Sequence, residues 1–293
     1  MSAPKANPTV RRWELAAALR ALRLEVGLSI EDVAGELMCS AAKVSRLETA
    51  GRGIQPRDVR DLCRLYKVDN VERDRLMSLA SEAKQQSWWH GLPMLTAGAK
   101  AYIDLEGSAA ELRALEVGRL HGLLQTEVYT RCLLRRLRPP ESAYEDDYIE
   151  QTVTVRKHRQ SLSRASESTY SFIIDQTALS RPFGSKAEMA EQLQFLIEAT
   201  SLSNYKIHVV PHSRGLYPGV DGTFTHMVFP QDSMPDVVVV DGTLGVFVLD
   251  KPSDATRYRN TFDHVVSEFA LNVDDSRDWL KEYSKSHLPM SKE

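Results

Sequence analysis

The chain has 293 residues, 42% hydrophobic and 26% charged, with a formal net charge of −3. That length allows two domains with cores of their own, and the proportions are those of a globular chain rather than a fibrous or disordered one. No run of about 18 apolar residues offers a membrane-spanning helix, and the opening MSAPKANPTVRRWE lacks the apolar centre of a secretion signal.

Charge is unevenly spread. Residues 1–87 carry 15 Lys and Arg against 12 Asp and Glu, whereas the remainder carries 22 against 28. A basic head on an acidic body suits a chain that meets a polyanion at one end only.

Residues 1–8, with two prolines among small residues, read as a disordered arm. A helix is predicted over 10–26, with Leu15, Leu19, Leu22 and Val26 on one stripe and Gly27 ending it. The most informative stretch follows, GLSIEDVAGELMCSAAKVSRLETAGRG over 27–53. It reads as two short helices joined by a tight turn. Ser29 caps the first, with Asp32 completing a capping box; Ser40 caps the second; Gly51 and Gly53 close it. Val33, Ala34 and Leu37 face inward on the first, Val44 and Leu47 on the second, and Ala34 marks a close helix crossing. Pro56 opens a fourth helix with Val59, Leu62, Cys63 and Tyr66 buried, and a fifth over 71–86 carries Leu76, Leu79, Ala80 and Ala83. Five helices make one all-α domain over 9–87.

The character changes at Trp88-Trp89-His90-Gly91, and 88–293 reads as an α+β domain. Helices are predicted over 108–115, 127–138 and 144–163, then strands over 170–175, 206–210, 223–229, 236–240 and 245–249, with a helix over 187–200 between the first two. The last three strands form an antiparallel meander, so the sheet is mainly antiparallel, and helices over 255–272 and 276–286 finish the chain.

A helix-turn-helix places its second helix in the DNA major groove. The outward residues here are Ser40, Ala41, Ala42, Lys43, Ser45 and Arg46. Arg46 fits the two acceptors of a guanine edge, or else a phosphate. Ala41 and Ala42 either meet thymine methyls or serve helix propensity alone. Ser40, Lys43 and Arg52 suit phosphates, and Arg57 and Arg60 extend that track or form a solvated face. Glu48 points back and is expected to pair with Arg23 of the first helix.

On these residues the N-terminal part resembles the XRE family of phage-repressor-like regulators. The rest resembles the C-terminal domain of actinobacterial WhiJ-like regulators, through Trp88-Trp89, GLLQTEVY at 122–129, VRKHRQ at 155–160, FIIDQTAL at 172–179, the run IHVVP at 207–211 and GTF at 222–224. The resemblance implies a homodimeric transcription regulator acting on double-stranded, pseudo-palindromic operator DNA in the cytoplasm. It also implies, as the alternative, an antitoxin-like protein that holds a small partner encoded nearby and binds DNA for autoregulation. No cofactor follows from it, and the effector is left open. The sequence departs from the family pattern at four places. Met38 holds the turn position usually given to Gly; Ile30 replaces a phosphate-touching Gln; an extra residue precedes Gly51; and Gln176 replaces an acidic residue. Trp88, Trp89 and Gln176 are the candidates for ligand or partner contact, with Leu123, Leu124, Tyr217 and Phe224 read either as a pocket lining or as core.

Catalytic and metal signatures are missing. No GxSxG, P-loop or GxGxxG occurs. His208 and His212 lie in an extended segment without an acidic companion, so no metal site is expected. Asp175 and Asp241, at strand ends, suit capping better than catalysis. The three cysteines at 39, 63 and 132 show no CxxC spacing and suit a reducing compartment.

Overall fold

The structure is a computed structural model and describes residues 8–50, 54–84, 96–137, 146–230, 234–242 and 245–287. The chain divides into two compact units. One comprises Met1–Gly91, Lys100–Ser108 and Phe229–Pro235; the other comprises Leu92–Ala99, Ala109–Val228 and Asp236–Glu293.

The first unit is helical. Its helices are α1 (Pro8–Glu25), α2 (Ile30–Glu36), α3 (Ala41–Glu48), α4 (Pro56–Leu65) and α5 (Asn70–Glu82), and most of α6 (Ala97–Glu106) belongs to it. Pro8, expected in the arm, is the first residue of α1. Leu15, Leu19, Val33, Val44, Leu62 and Leu76 fill one core. Val26 is not part of the α1 stripe: it is 42% exposed, because α1 ends at Glu25 and Val26 has already entered the turn. In that turn Gly27 N–H donates to Leu24 O and Leu28 N–H to Arg23 O, at 3.1 and 3.2 Å, with Gly27 at φ +71°. This is a Schellman closure, which requires a left-handed residue.

The same closure ends α2 and α4 without glycine. Met38 N–H donates to Gly35 O and Cys39 N–H to Ala34 O; Lys67 N–H donates to Arg64 O and Val68 N–H to Cys63 O. Met38 has φ +48° and Lys67 φ +56°. A left-handed side-chain-bearing residue costs roughly 1–2 kcal/mol, against about 0.5–1 kcal/mol for the extra chain entropy of a glycine. Met38 is 93% exposed and has no packing to lose. Met38→Gly should therefore stabilise the first unit by about 0.5–1 kcal/mol, read as a higher melting temperature; an unchanged or lower one refutes the strain argument.

The second unit is built on a six-stranded mixed sheet of order β3-β2-β1-β4-β5-β6. The strands are β1 (Glu111–Glu116), β2 (Thr169–Asp175), β3 (Tyr205–Val210), β4 (Phe224–Val228), β5 (Val237–Gly242) and β6 (Gly245–Leu249). β1 pairs parallel with β2 and β2 with β3; the β1–β4, β4–β5 and β5–β6 pairings are antiparallel. Helices α7 (Glu127–Arg136), α8 (Asp146–Ala165), α9 (Gln176–Ser180), α10 (Lys186–Ala199), α11 (Pro252–Glu268) and α12 (Val273–His287) complete the unit. Leu115, Ile173, Phe224 and Val238 on one sheet face pack with Ala255, Phe262 and Val265 of α11.

The helix expected over 108–115 is instead β1. Its Ala, Glu, Leu and Arg favour helix, but a central strand with neighbours on both edges and Leu112, Ala114 and Leu115 all buried overrides propensity. With β1 counted as a helix, the parallel half of the sheet is invisible. Two further helices, α6 and the short α9, stand where the sequence pattern gave none.

Candidate nucleic-acid interface

Local chemistry fixes both helices of the motif. Ser29 Oγ accepts from Asp32 N–H at 3.0 Å, while Asp32 Oδ2 accepts from Ser29 N–H at 2.8 Å. These bonds satisfy donors that a helix start otherwise leaves open; the Ser29 hydroxyl, donating to Asp32 Oδ2 at 2.6 Å, and then the Ser29 N–H hold the Asp32 carboxyl below the usual range. Ser40 Oγ caps α3 by accepting from Lys43 N–H at 3.2 Å. Val44, Leu47 and Glu48 turn inward. Ser40, Ala42, Arg46 and Thr49 are left exposed, and Ala41, Lys43 and Ser45 half-buried. Ala42, Arg46 and Thr49 stand at intervals of four and three and form one stripe along the helix. Among the described residues no side chain occupies the Arg46 guanidinium.

Lys43 is engaged within the unit. Its Nζ lies 2.8 Å from Oδ1 of Asp58, in the first turn of α4, with the two side chains 40% and 13% exposed. Sequence reading missed Asp58, and no local pattern announces it. Arg57 and Arg60 are exposed on α4, with Arg60 3.3 Å from Asp61. Arg52, Gly51 and Gly53 lie outside the described residues.

Behind the stripe, Arg23 of α1 grips Glu48 of α3 through two bonds, Nε to Oε1 at 2.7 Å and Nη2 to Oε2 at 2.8 Å. Arg23 Nη1 also donates to Leu28 O at 2.8 Å. Arg23 is 7% and Glu48 6% exposed. The bond from Glu48 raises the pKa of the guanidinium further. The Tyr66 hydroxyl is buried near this pair, and its desolvation, with Glu48 adding to it, pushes the phenol pKa up.

Residues 14–76 match a family described as a helix-turn-helix domain, and residues 99–282 match the family described as "Domain of unknown function (DUF5753)". The chain belongs to the DUF5753 family. No curated protein and no solved structure matches it. A DNA-binding helix-turn-helix ahead of the DUF5753 region points to a regulator in general.

Within the DUF5753 region the motifs at 122–129 and 155–160 meet, with Gln192, in one largely buried polar network. Gln192 of α10, fully buried, accepts from Thr126 N–H at 2.8 Å and donates to Leu124 O at 2.7 Å. Gln160 of α8 donates to Gly122 O and Gln125 O at 3.1 and 2.7 Å, and Arg156 donates to Gln125 Oε1 and Thr130 Oγ1. The bonds of Gln160 and Gln192 satisfy carbonyls and an amide of the loop leading into α7, which burial would otherwise leave costly. Leu123, Leu124, Tyr217 and Phe224 are at most 5% exposed and serve as core. Gln176 is half-buried and its Oε1 accepts from His212 N–H at 2.9 Å, so it ties the loop after β3 to α9. Asp175 caps α9 and accepts from the Tyr217 hydroxyl at 2.7 Å, and Asp241 pairs with Arg119. Trp88 and Trp89 lie outside the described residues. Among those residues no group of His, Cys, Asp and Glu is placed to hold a metal, and no helix is long and apolar enough to cross a membrane.

Proposed function

We propose that this DUF5753 protein is a sequence-specific transcriptional regulator of the XRE type. It acts in the cytoplasm as a homodimer on double-stranded operator DNA, with the DUF5753 region serving dimerisation and effector or partner input. The reading rests on one observation: a capped helix whose exposed stripe holds Ala42, Arg46 and Thr49, backed by a buried ion pair. Small side chains let the helix backbone approach the base edges, and an arginine fork reads guanine. Two copies would address half-sites about one helical turn apart, or a multiple of it.

Selection of bound duplexes from a random pool by the full chain tests this directly. A symmetric motif with that half-site spacing is expected. Retention of every duplex alike, or of none at low salt, rejects sequence-specific reading.

Lys43 supplies a separate prediction. Its ammonium faces Asp58 and is shared with a phosphate when DNA arrives, so Lys43→Ala should weaken binding equally on matched and scrambled operators and lower the salt slope by about one. Asp58→Ala frees the ammonium and should tighten both complexes. Mobility shifts across a salt series check the pair, and a Lys43→Ala loss confined to the matched operator contradicts the phosphate role.

A further inference from the structure

Glu116 is the last residue of β1, the strand at which the sheet order turns. β2 and β3 lie on one side of it, and the chain returns on the other with β4. In open sheets the strand end at such a reversal is where ligands bind. Glu116 is 3% exposed, and its Oε2 is buried with no hydrogen-bond partner among the described residues. A buried carboxyl without a donor is costly and calls for a missing partner.

The surroundings restrict what that partner is. Leu115 faces Phe224 and Phe224 faces Val240, so the next residues place Glu116 and Asp241 at one level of the same sheet face, two strands apart. From the loop after β1, Arg119 reaches Asp241, with side chains 36% and 42% exposed. Arg156, held by Gln125 and Thr130, also acts on the carboxyl electrostatically. The unpartnered group needs a hydrogen-bond donor. A bare cation, however, meets the charges of Arg119 and Arg156, so a cation that brings its own anion fits better. Arg119 can exchange Asp241 for that anion at small cost, because solvent-exposed ion pairs contribute little.

We propose that this end of β1 binds a small zwitterion of the α-amino acid type, its ammonium on Glu116 and its carboxylate on Arg119. The inference does not depend on DNA binding and is measured without DNA. The full chain is melted with each of the twenty common α-amino acids at millimolar concentration. At least one raises the melting temperature, while its N-acetyl derivative and the corresponding amine without a carboxylate do not. Glu116→Gln abolishes the shift and the surface variant Arg119→Ala reduces it, both with unchanged circular dichroism.

A pH profile separates recognition from a merely structural role. Burial, the largest cause, and Asp241 push the empty carboxyl up to about 8, against the opposing pull of Arg119 and Arg156. An ammonium binds the ionised form, so binding releases a proton. Affinity rises up to about tenfold per pH unit below that value, levels off above it, and falls again once the ligand's own ammonium loses its proton. The inference is overturned if no amino acid shifts the melt, if the N-acetyl form or the plain amine works equally well, or if affinity is flat with pH. Should Glu116→Gln not fold, Arg119→Ala and the wild-type pH profile decide alone.

Discussion

Glu48→Ala should lower the opening free energy of α1 and α3 by about 3–5 kcal/mol, the effect expected when one partner of a buried ion pair is removed and the other is stranded. Arg23 keeps its bond to Leu28 O but loses both bonds to the carboxylate, and it sits at 7% exposure where water reaches it poorly. Because a chain of two units need not melt in one step, amide hydrogen exchange resolved by peptide is the measurement: α1 and α3 lose protection, while β1 to β3 in the other unit do not. Replacing both charges, as Arg23→Met with Glu48→Leu, should cost less than either single alanine change, since no charge is left buried. Equal protection of Glu48→Ala and wild type would show that the pair does not fasten α3 to α1.

Much of the helix-turn-helix is readable in the sequence because its determinants are local. Ser29 and Ser40 lie next to the helices they cap, Asp32 is three residues from its partner, and the apolar residues of α2 and α3 recur at helical spacing. Arg23 and Glu48 are 25 residues apart, yet an acidic residue on the inward side of a DNA-reading helix is conspicuous enough to demand a partner. Asp58 gives no such signal: 15 residues from Lys43, it looks like any acid in a helix's first turn. The second unit is less legible for the same physical reason. β1 is a strand only because β2 and β4 lie beside it, and those pairings come from residues 58 and 109–117 positions away. The motif residues Gln125 and Gln160 stand out by family likeness, but only the fold shows that they meet at one loop, where Gln192, outside every motif, joins them. Glu116 passes for a helix-favouring residue until the sheet buries it.

Arg46→Ala should reduce affinity for the selected operator by roughly 5- to 150-fold, equivalent to about 1–3 kcal/mol. The loss should be smaller on scrambled DNA, because a base contact is present only in the matched complex, whereas a phosphate contact is present in both. The side chain is exposed and lies on the stripe with Ala42 and Thr49, so its removal leaves the core untouched and should not change hydrogen-exchange protection of α3. Reselection from a random pool with the variant should give the same symmetric motif, relaxed at one base pair of each half-site. Lys is a poor substitute at a two-acceptor contact, so Arg46→Lys should recover the salt slope but only part of the specificity. If Arg46→Ala and Lys43→Ala instead behave alike on matched and scrambled operators, Arg46 touches phosphate, and the reading of bases passes to the remaining residues of the stripe.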